Sequence, residues 1–229
     1  MPRNGITARG ACLNRFELIV FDWDGTLMDS AAAIVAAIQA ACRDLDIEPP
    51  SDAQARHIIG LGLNDALANA LPDLQPARYR ALAERYRFHY LAGDGELSLF
   101  QGIEALVAGL AQSGHRLAVA TGKSRNGLDR ALATSGLAGR FQATRCADEC
   151  HSKPHPQMLY ELMDEFAIAA GRTLMIGDTT HDLKMAQNAG VGALAVAYGA
   201  HPRAELIAEQ PLYCAGSVAE LQAWLFRHA

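Results

Sequence analysis

The sequence predicts an α/β fold, a doubly wound parallel-sheet core interrupted by an inserted all-helical segment. Three observations predict it. The chain has 229 residues, which at roughly 150 per domain makes one core and about half of another. In the C-terminal half, short continuous apolar runs alternate with amphipathic helical stretches, the rhythm of a parallel sheet with right-handed crossovers. One such run stands alone near the N-terminus and is followed by about sixty residues that read only as helix, so it must pair with the distant sheet.

The elements follow in order. Leu18 to Phe21 are continuous rather than alternating, as in a strand buried on both faces. Ser30 opens an Ala-rich helix in which Ile34, Val35, Ile38 and Leu45 recur at helical spacing, ending before Pro49-Pro50. Ser51, with Asp52 behind it, caps a second helix that ends near Gly60. The turn Gly60-Leu61-Gly62 leads to more helix, and Pro76 starts a further one with Tyr79, Leu82, Tyr86 and Tyr90 on one stripe. From Gly102 the pattern becomes helix 103–112, strand Leu117–Ala120, helix 124–135, strand near Phe141–Ala143, helix 156–168, strand Thr173–Ile176, helix 180–189 and strand Ala193–Ala197. The expected division is a Rossmann-like core of residues 1–29 and 94–229 and an inserted helical domain of residues 30–93.

Half the residues are hydrophobic and 20% are charged, enough apolar surface for a packed core and too much for a disordered chain. Twenty Lys and Arg against 25 Asp and Glu leave a net charge of -5 with no like-charge run, which argues against nucleic acid or anionic membrane as a partner. The longest Ala-rich run, from Ala31, is cut at Gln39 and ends at Arg43, short of a bilayer span. Arg3, Arg9 and Arg15 are not followed by the apolar stretch of a secretory signal, because Glu17 and Asp22 interrupt it. Five irregularly spaced cysteines point to a reducing compartment. The expectation is a cytoplasmic protein, monomeric or homodimeric.

Ligands of open parallel sheets bind beyond the carboxyl ends of the strands. Those ends carry Asp22-Trp23-Asp24-Gly25-Thr26, Thr121-Gly122-Lys123-Ser124 and Gly177-Asp178-Thr179-Thr180-His181-Asp182, with Lys153-Pro154 before a helix. Four loops thus bring four carboxylates, two donor turns and a lysine to one edge, a divalent-cation site facing an anion site. Asp22 and Asp24, two apart in extended chain, lie on one side, where one can attack while the other handles protons. Asp178 and Asp182 offer the hard oxygens that Mg²⁺ prefers. The Thr121 hydroxyl, amides from Gly122 onward and Lys153 can hold phosphate oxygens.

FDWDGTLMDS (Phe21–Ser30), ATGKS, SKPHP and GDTTHD, in that order, resemble the four motifs of the haloacid dehalogenase-like hydrolase superfamily over nearly the whole chain. The resemblance implies that Asp22 is the nucleophile of an aspartyl-phosphate. Asp24 would protonate the leaving oxygen and then activate water, while Thr121 and Lys153 bind phosphate. Mg²⁺ would be held by Asp178, Asp22 and the Asp24 carbonyl, with Asp182 in the outer shell or orienting Lys153. The superfamily's dehalogenases lack the second carboxylate of the first motif, so Asp24 argues for phosphate chemistry.

The helical insertion resembles the family's cap, which closes over small phosphorylated metabolites and excludes water. Ile59-Gly60-Leu61-Gly62 is similar to the specificity loop of phosphoglycolate phosphatases, with Arg56, Gly60 and Asn64 as candidate substrate contacts. Gly122 departs from the asparagine that many relatives carry there. Two rivals remain: a phosphomutase returning the phosphoryl group to a sugar, and a non-enzymatic phospho-accepting module. Modules of the second kind lack an inserted cap.

Plainer readings apply elsewhere. His181 is expected to be exposed, and the cap tyrosines are expected to pack. Cys146, Cys150, His151 and His155 crowd four zinc-type ligands into ten consecutive residues, a coincidence rather than a site.

Overall fold

A computed structural model describes residues 15–229. Arg3, Arg9 and Cys12, and with them most of the expectation about the N-terminal segment, lie outside the described residues. Six parallel strands form one sheet in the order β3-β2-β1-β4-β5-β6. They are β1 (Leu18–Phe21), β2 (Arg116–Thr121), β3 (Ala143–Cys146), β4 (Thr173–Gly177), β5 (Gly192–Val196) and β6 (Tyr213–Ala215). The isolated N-terminal run is therefore central, with Phe21 level with Val119 of β2 and Ile176 of β4. This strand order reverses direction beside β1, which opens a crevice at the carboxyl ends.

Helices cover both faces. Ile19 and Phe21 face α5 (Ile103–Gln112) and α10 (Val218–His228) through Leu106, Leu110, Leu221 and Leu225. Leu18 and Val20 face α7 (Gln157–Phe166) and α8 (Thr180–Ala189) through Leu159, Leu162, Leu183 and Ala186. Strand residues buried on both sides explain why the apolar runs are continuous. Between β2 and β3, α6 (Arg125–Thr134) is capped by the Ser124 hydroxyl, which accepts the Gly127 N–H.

Residues 31–93 hold α1 (Ala31–Asp44), α2 (Asp52–His57), α3 (Leu63–Ala70) and α4 (Tyr79–Gly93). They bury a third apolar cluster, Ile34, Val35, Ile38, Ile58, Leu67 and Leu82, distinct from those on the sheet. Ser51 and Gln54 form a capping box on α2. Ser30 stands at the head of α1 without capping it, since its side chain takes no helix N–H.

Two local expectations shift. The strand placed near Phe141–Ala143 is β3, which begins two residues later, at Ala143. Phe141 instead packs edge-on to Phe21 and Trp23, with centroids 6.3 and 6.4 Å away, and this packing gives it the apolar look of a strand residue. Beyond β5 the chain adds α9 (Arg203–Ala208), β6 and α10. Three residues of strand are too few to show a period, but Ser217, whose hydroxyl accepts the Glu220 N–H, is a readable cap signal. Among the described residues no helix is long and apolar enough to cross a membrane.

Candidate active site

Three carboxylates meet beyond β1 and β4. Asp22 follows β1, Asp178 follows β4 and Asp182 lies in the first turn of α8; one oxygen from each falls within 4.8 Å of the others, and all three residues are buried. The chain turns away from Asp22 at Gly25, φ +78°, where a Cβ would collide with the Asp178 carboxylate, so glycine is required.

Each carboxylate has a different set of partners. Lys153 Nζ lies 2.8 Å from Asp22 Oδ1, whereas Asp22 Oδ2 has no hydrogen-bond partner among the described residues. Burial raises the Asp22 carboxyl well above its ordinary value; Lys153 opposes this, while Asp182 and Asp178 add to it. Asp178 accepts from the Thr26 hydroxyl at 2.8 Å and the Ala200 N–H at 2.7 Å. Burial, reinforced by Asp182, still pushes Asp178 up to about 7. Asp182 Oδ1 accepts from Lys153 Nζ at 2.7 Å, and its Oδ2 accepts from the Thr179 N–H and hydroxyl at 3.1 and 2.7 Å. Burial alone would lower the Lys153 pKa, but Asp182 and Asp22 outweigh it and hold Lys153 charged.

Three buried carboxylates thus share one cation. All-oxygen donors, excess negative charge and an unpartnered Asp22 oxygen fit a hard divalent cation. Both oxygens of Asp178 and of Asp182 already accept hydrogen bonds, and one of those on Asp182 comes from the charged Lys153, so Asp22 has the freest oxygen to offer it.

Asp24, two residues after Asp22, has partners of its own. Ser30 Oγ donates to its Oδ1 at 2.6 Å, and Lys123 Nζ lies 3.1 Å from the same atom. Thr121 ends β2, fully buried, and its hydroxyl accepts the Lys123 N–H at 3.2 Å. Gly122 packs under the turn between α2 and α3, where a Cβ would strike the carbonyl oxygens of Gly60 and Leu61. Gly60, φ +91°, has room for a Cβ only 3.3 Å from Thr179 Oγ1 and 3.7 Å from Asp22 Oδ2. The Gly62 N–H donates to Ser152 Oγ at 2.8 Å, next to Lys153.

A cavity of about 530 Å³ lies between the helical segment and the sheet edge; Asp24, Gly60, Asn64, Tyr90, Gly122 and Lys123 are among its lining residues. Arg56 is half-buried and is not one of them. His181, expected to be exposed, is half-buried, with its Nε2 2.7 Å from the His57 carbonyl and its ring against those of His57 and His201. The helical segment packing over the start of α8 covers it.

Sequence reasoning missed Thr26, Ser30 and Lys123 as partners of the acidic residues, and it read Tyr90 as packing alone. Tyr90 does pack, but its hydroxyl also accepts from Lys123 Nζ at 2.9 Å. The one readable signal was a lysine directly after Thr121-Gly122 at a strand end.

Residues 19–196 match the family described as haloacid dehalogenase-like hydrolase. The chain is 37% identical over 201 residues to a Dickeya dadantii protein named "Probable phosphatase IndB", covering 85% of this chain and 86% of that one. It is 32% identical over 216 residues to a 5'-nucleotidase of Pseudomonas aeruginosa, covering 93% and 97%. Identity is 31% over 192 residues with a phosphoglycolate phosphatase of Aliivibrio fischeri, covering 80% and 85%. The crystal structure of a hydrolase from Pseudomonas syringae shares the fold with a TM-score of 0.85 at 20% identity, covering 93% of this chain and 98% of that one.

Proposed function

The chain belongs to the haloacid dehalogenase-like hydrolases, and from that membership we propose a Mg²⁺-dependent phosphatase that cleaves a small phosphate monoester through an aspartyl-phosphate. The observation that carries this reading is Asp22 itself, a buried carboxylate with one oxygen beside Lys153 and the other unpartnered.

In the first step Asp22 Oδ2 attacks phosphorus, the phosphorus–oxygen bond to the leaving group breaks, and Asp24 gives its proton to the departing oxygen. In the second, Asp24 takes a proton from water, the water oxygen attacks the phosphorus on Asp22, and inorganic phosphate leaves with Asp22 restored. Lys153, Thr121 and the amides from Gly122 hold the phosphoryl oxygens, whose charge Lys153 offsets. Asp22, Asp178 and the Asp24 carbonyl would hold Mg²⁺, whose charge would offset the repulsion between carboxylate and phosphate dianion.

Residues 30–93 act as the cap on a core of residues 1–29 and 94–229, with the Gly60–Gly62 turn over Asp22 excluding water. The neutral turn and the phosphoglycolate phosphatase relatives favour phosphoglycolate-like esters as substrate; the nucleotidase relative makes nucleotides the first alternative to try.

Acid quenching during turnover of a ³²P-labelled ester should trap radiolabel on the wild-type protein and none on Asp22→Asn. A stable, folded Asp22→Asn variant that still turns over the ester would refute the assignment.

A further inference from the structure

We propose that Lys123, together with Tyr90, binds an anionic group on the leaving portion of the substrate, so that the enzyme prefers phosphate esters of hydroxy acids. The proposal rests on the phosphatase reading above and adds to it the residues that select the leaving group.

Lys123 stands two residues beyond the end of β2, and its side chain is only 10% exposed. Its ammonium has three protons to donate. One goes to the Tyr90 hydroxyl at 2.9 Å and one faces Asp24 Oδ1 at 3.1 Å; the third has no protein acceptor among the described residues. The Tyr90 hydroxyl accepts from Lys123 and keeps its own proton to donate. Two donors, one N–H and one O–H, are therefore available side by side, and both residues line the cavity between the helical segment and the sheet edge.

Their position relative to Asp24 decides what they meet. Asp24 hands its proton to the leaving oxygen, so a cation in contact with Asp24 sits at the leaving-group end. Lys153 is on Asp22 and Asp182 instead and serves the phosphoryl end. A carboxylate on the carbon next to the ester oxygen comes to the Asp24 end of the cavity, where the Lys123 ammonium offers it a charge-assisted hydrogen bond. The cavity's other cations, Arg87 and Arg130, are exposed, and Arg130 faces Asp94 at 3.8 Å, whereas the Lys123 side chain is mostly buried beside Asp24; Ile34, Ile58 and Leu63 give a carboxylate nothing.

The two donors come from opposite sides of the cavity, Tyr90 from α4 and Lys123 from the core. The pair is complete only when the helical segment rests on the sheet edge, which ties recognition of the leaving group to closure.

The test compares kcat/KM for 2-phosphoglycolate with that for ethyl phosphate, which replaces the carboxylate by a methyl group, in wild type, Lys123→Met and Tyr90→Phe, all with Mg²⁺. Wild type should prefer 2-phosphoglycolate. Lys123→Met should shrink that preference by about ten- to a hundredfold, the equivalent of one charge-assisted hydrogen bond. Tyr90→Phe, which keeps the ring and loses the hydroxyl, should shrink it about three- to tenfold. Losses equal on both esters would overturn the proposal and leave Lys123 as a positioning residue for Asp24; a wild type indifferent to the carboxylate would also overturn it. Should Lys123→Met fail to fold, Tyr90→Phe decides alone. Hydrolysis of ethyl phosphate without preference keeps the phosphatase reading intact, whereas a wild type inactive on every ester fails that reading and this proposal together.

Discussion

Asp182 Oδ1 accepts a hydrogen bond from Lys153 Nζ at 2.7 Å while the same carboxylate caps its own helix at Thr179. One side chain thus fixes the start of α8 and the direction of the lysine that precedes α7. Asp182→Ala should lower kcat by about 10²- to 10³-fold, since Lys153 loses the group that aims it. It should also destabilise the fold by about 1–2 kcal/mol through the lost capping box of α8, since Lys153 keeps Asp22 as its partner. Steady-state kinetics and denaturant unfolding measure the two effects separately.

Ser30 Oγ donates to Asp24 Oδ1 at 2.6 Å rather than capping α1. Ser30→Ala should therefore leave helix stability almost unchanged and cut kcat by about tenfold, the size of one lost hydrogen bond to a charged group. KM should move little if Asp24 is the proton donor proposed above, because Ser30 contacts Asp24 and is no part of the proposed phosphoryl-binding set. A large loss of thermal stability with unchanged kcat would contradict this.

Gly122 has the carbonyl oxygens of Gly60 and Leu61 where its side chain would be. Gly122→Ala should push the turn off the sheet edge, raising KM and costing about 1–3 kcal/mol through overpacking. Asparagine, larger than alanine, should be worse still. Kinetics on the two variants rank them.

Asp178 has its pKa raised from 3.8 to about 7 by burial and then by Asp182. In the unfolded chain it loses its proton near 3.8, so without a bound cation its stabilising contribution is complete below that pH and is lost as pH rises towards 7. Asp178→Asn should remove this part of the slope in a melting-temperature series from pH 4 to 8. A divalent cation displaces the same proton, so Mg²⁺ affinity should tighten by up to about tenfold per pH unit below 7 and level off above it. Calorimetric titration at pH 6, 7 and 8 tests this; an affinity independent of pH would refute it.

Asp22, Thr121 and Asp178 could be read as neighbours because each follows an apolar run, and a parallel sheet sends every such end to one edge. The inserted helices could be read because a single strand cannot stand alone. The partners of Asp24 could not. A serine before a helix looks the same whether its hydroxyl caps that helix or reaches back six residues to a carboxylate, and Tyr90 has the spacing of a packing residue in either role. Arg56 and Asn64 flank the same turn, yet of the two only Asn64 lines the cavity, because the direction a side chain takes depends on how α2 and α3 rest on the core.

By itself the sequence determined the α/β class and the succession of buried strands and helices that makes one parallel sheet, since periodicity and strand ends are local properties of the chain. The tertiary structure decided the pairings: Lys153 with both Asp22 and Asp182, Lys123 between Tyr90 and Asp24, and Asp178 between Thr26 and Ala200. Most of these partners are tens of residues or more apart, and no pattern along the chain encodes which of several buried charges a given donor will face. Packing of the helical segment and the sheet edge makes that choice, because a buried charge must find its partner among the groups the fold brings within reach.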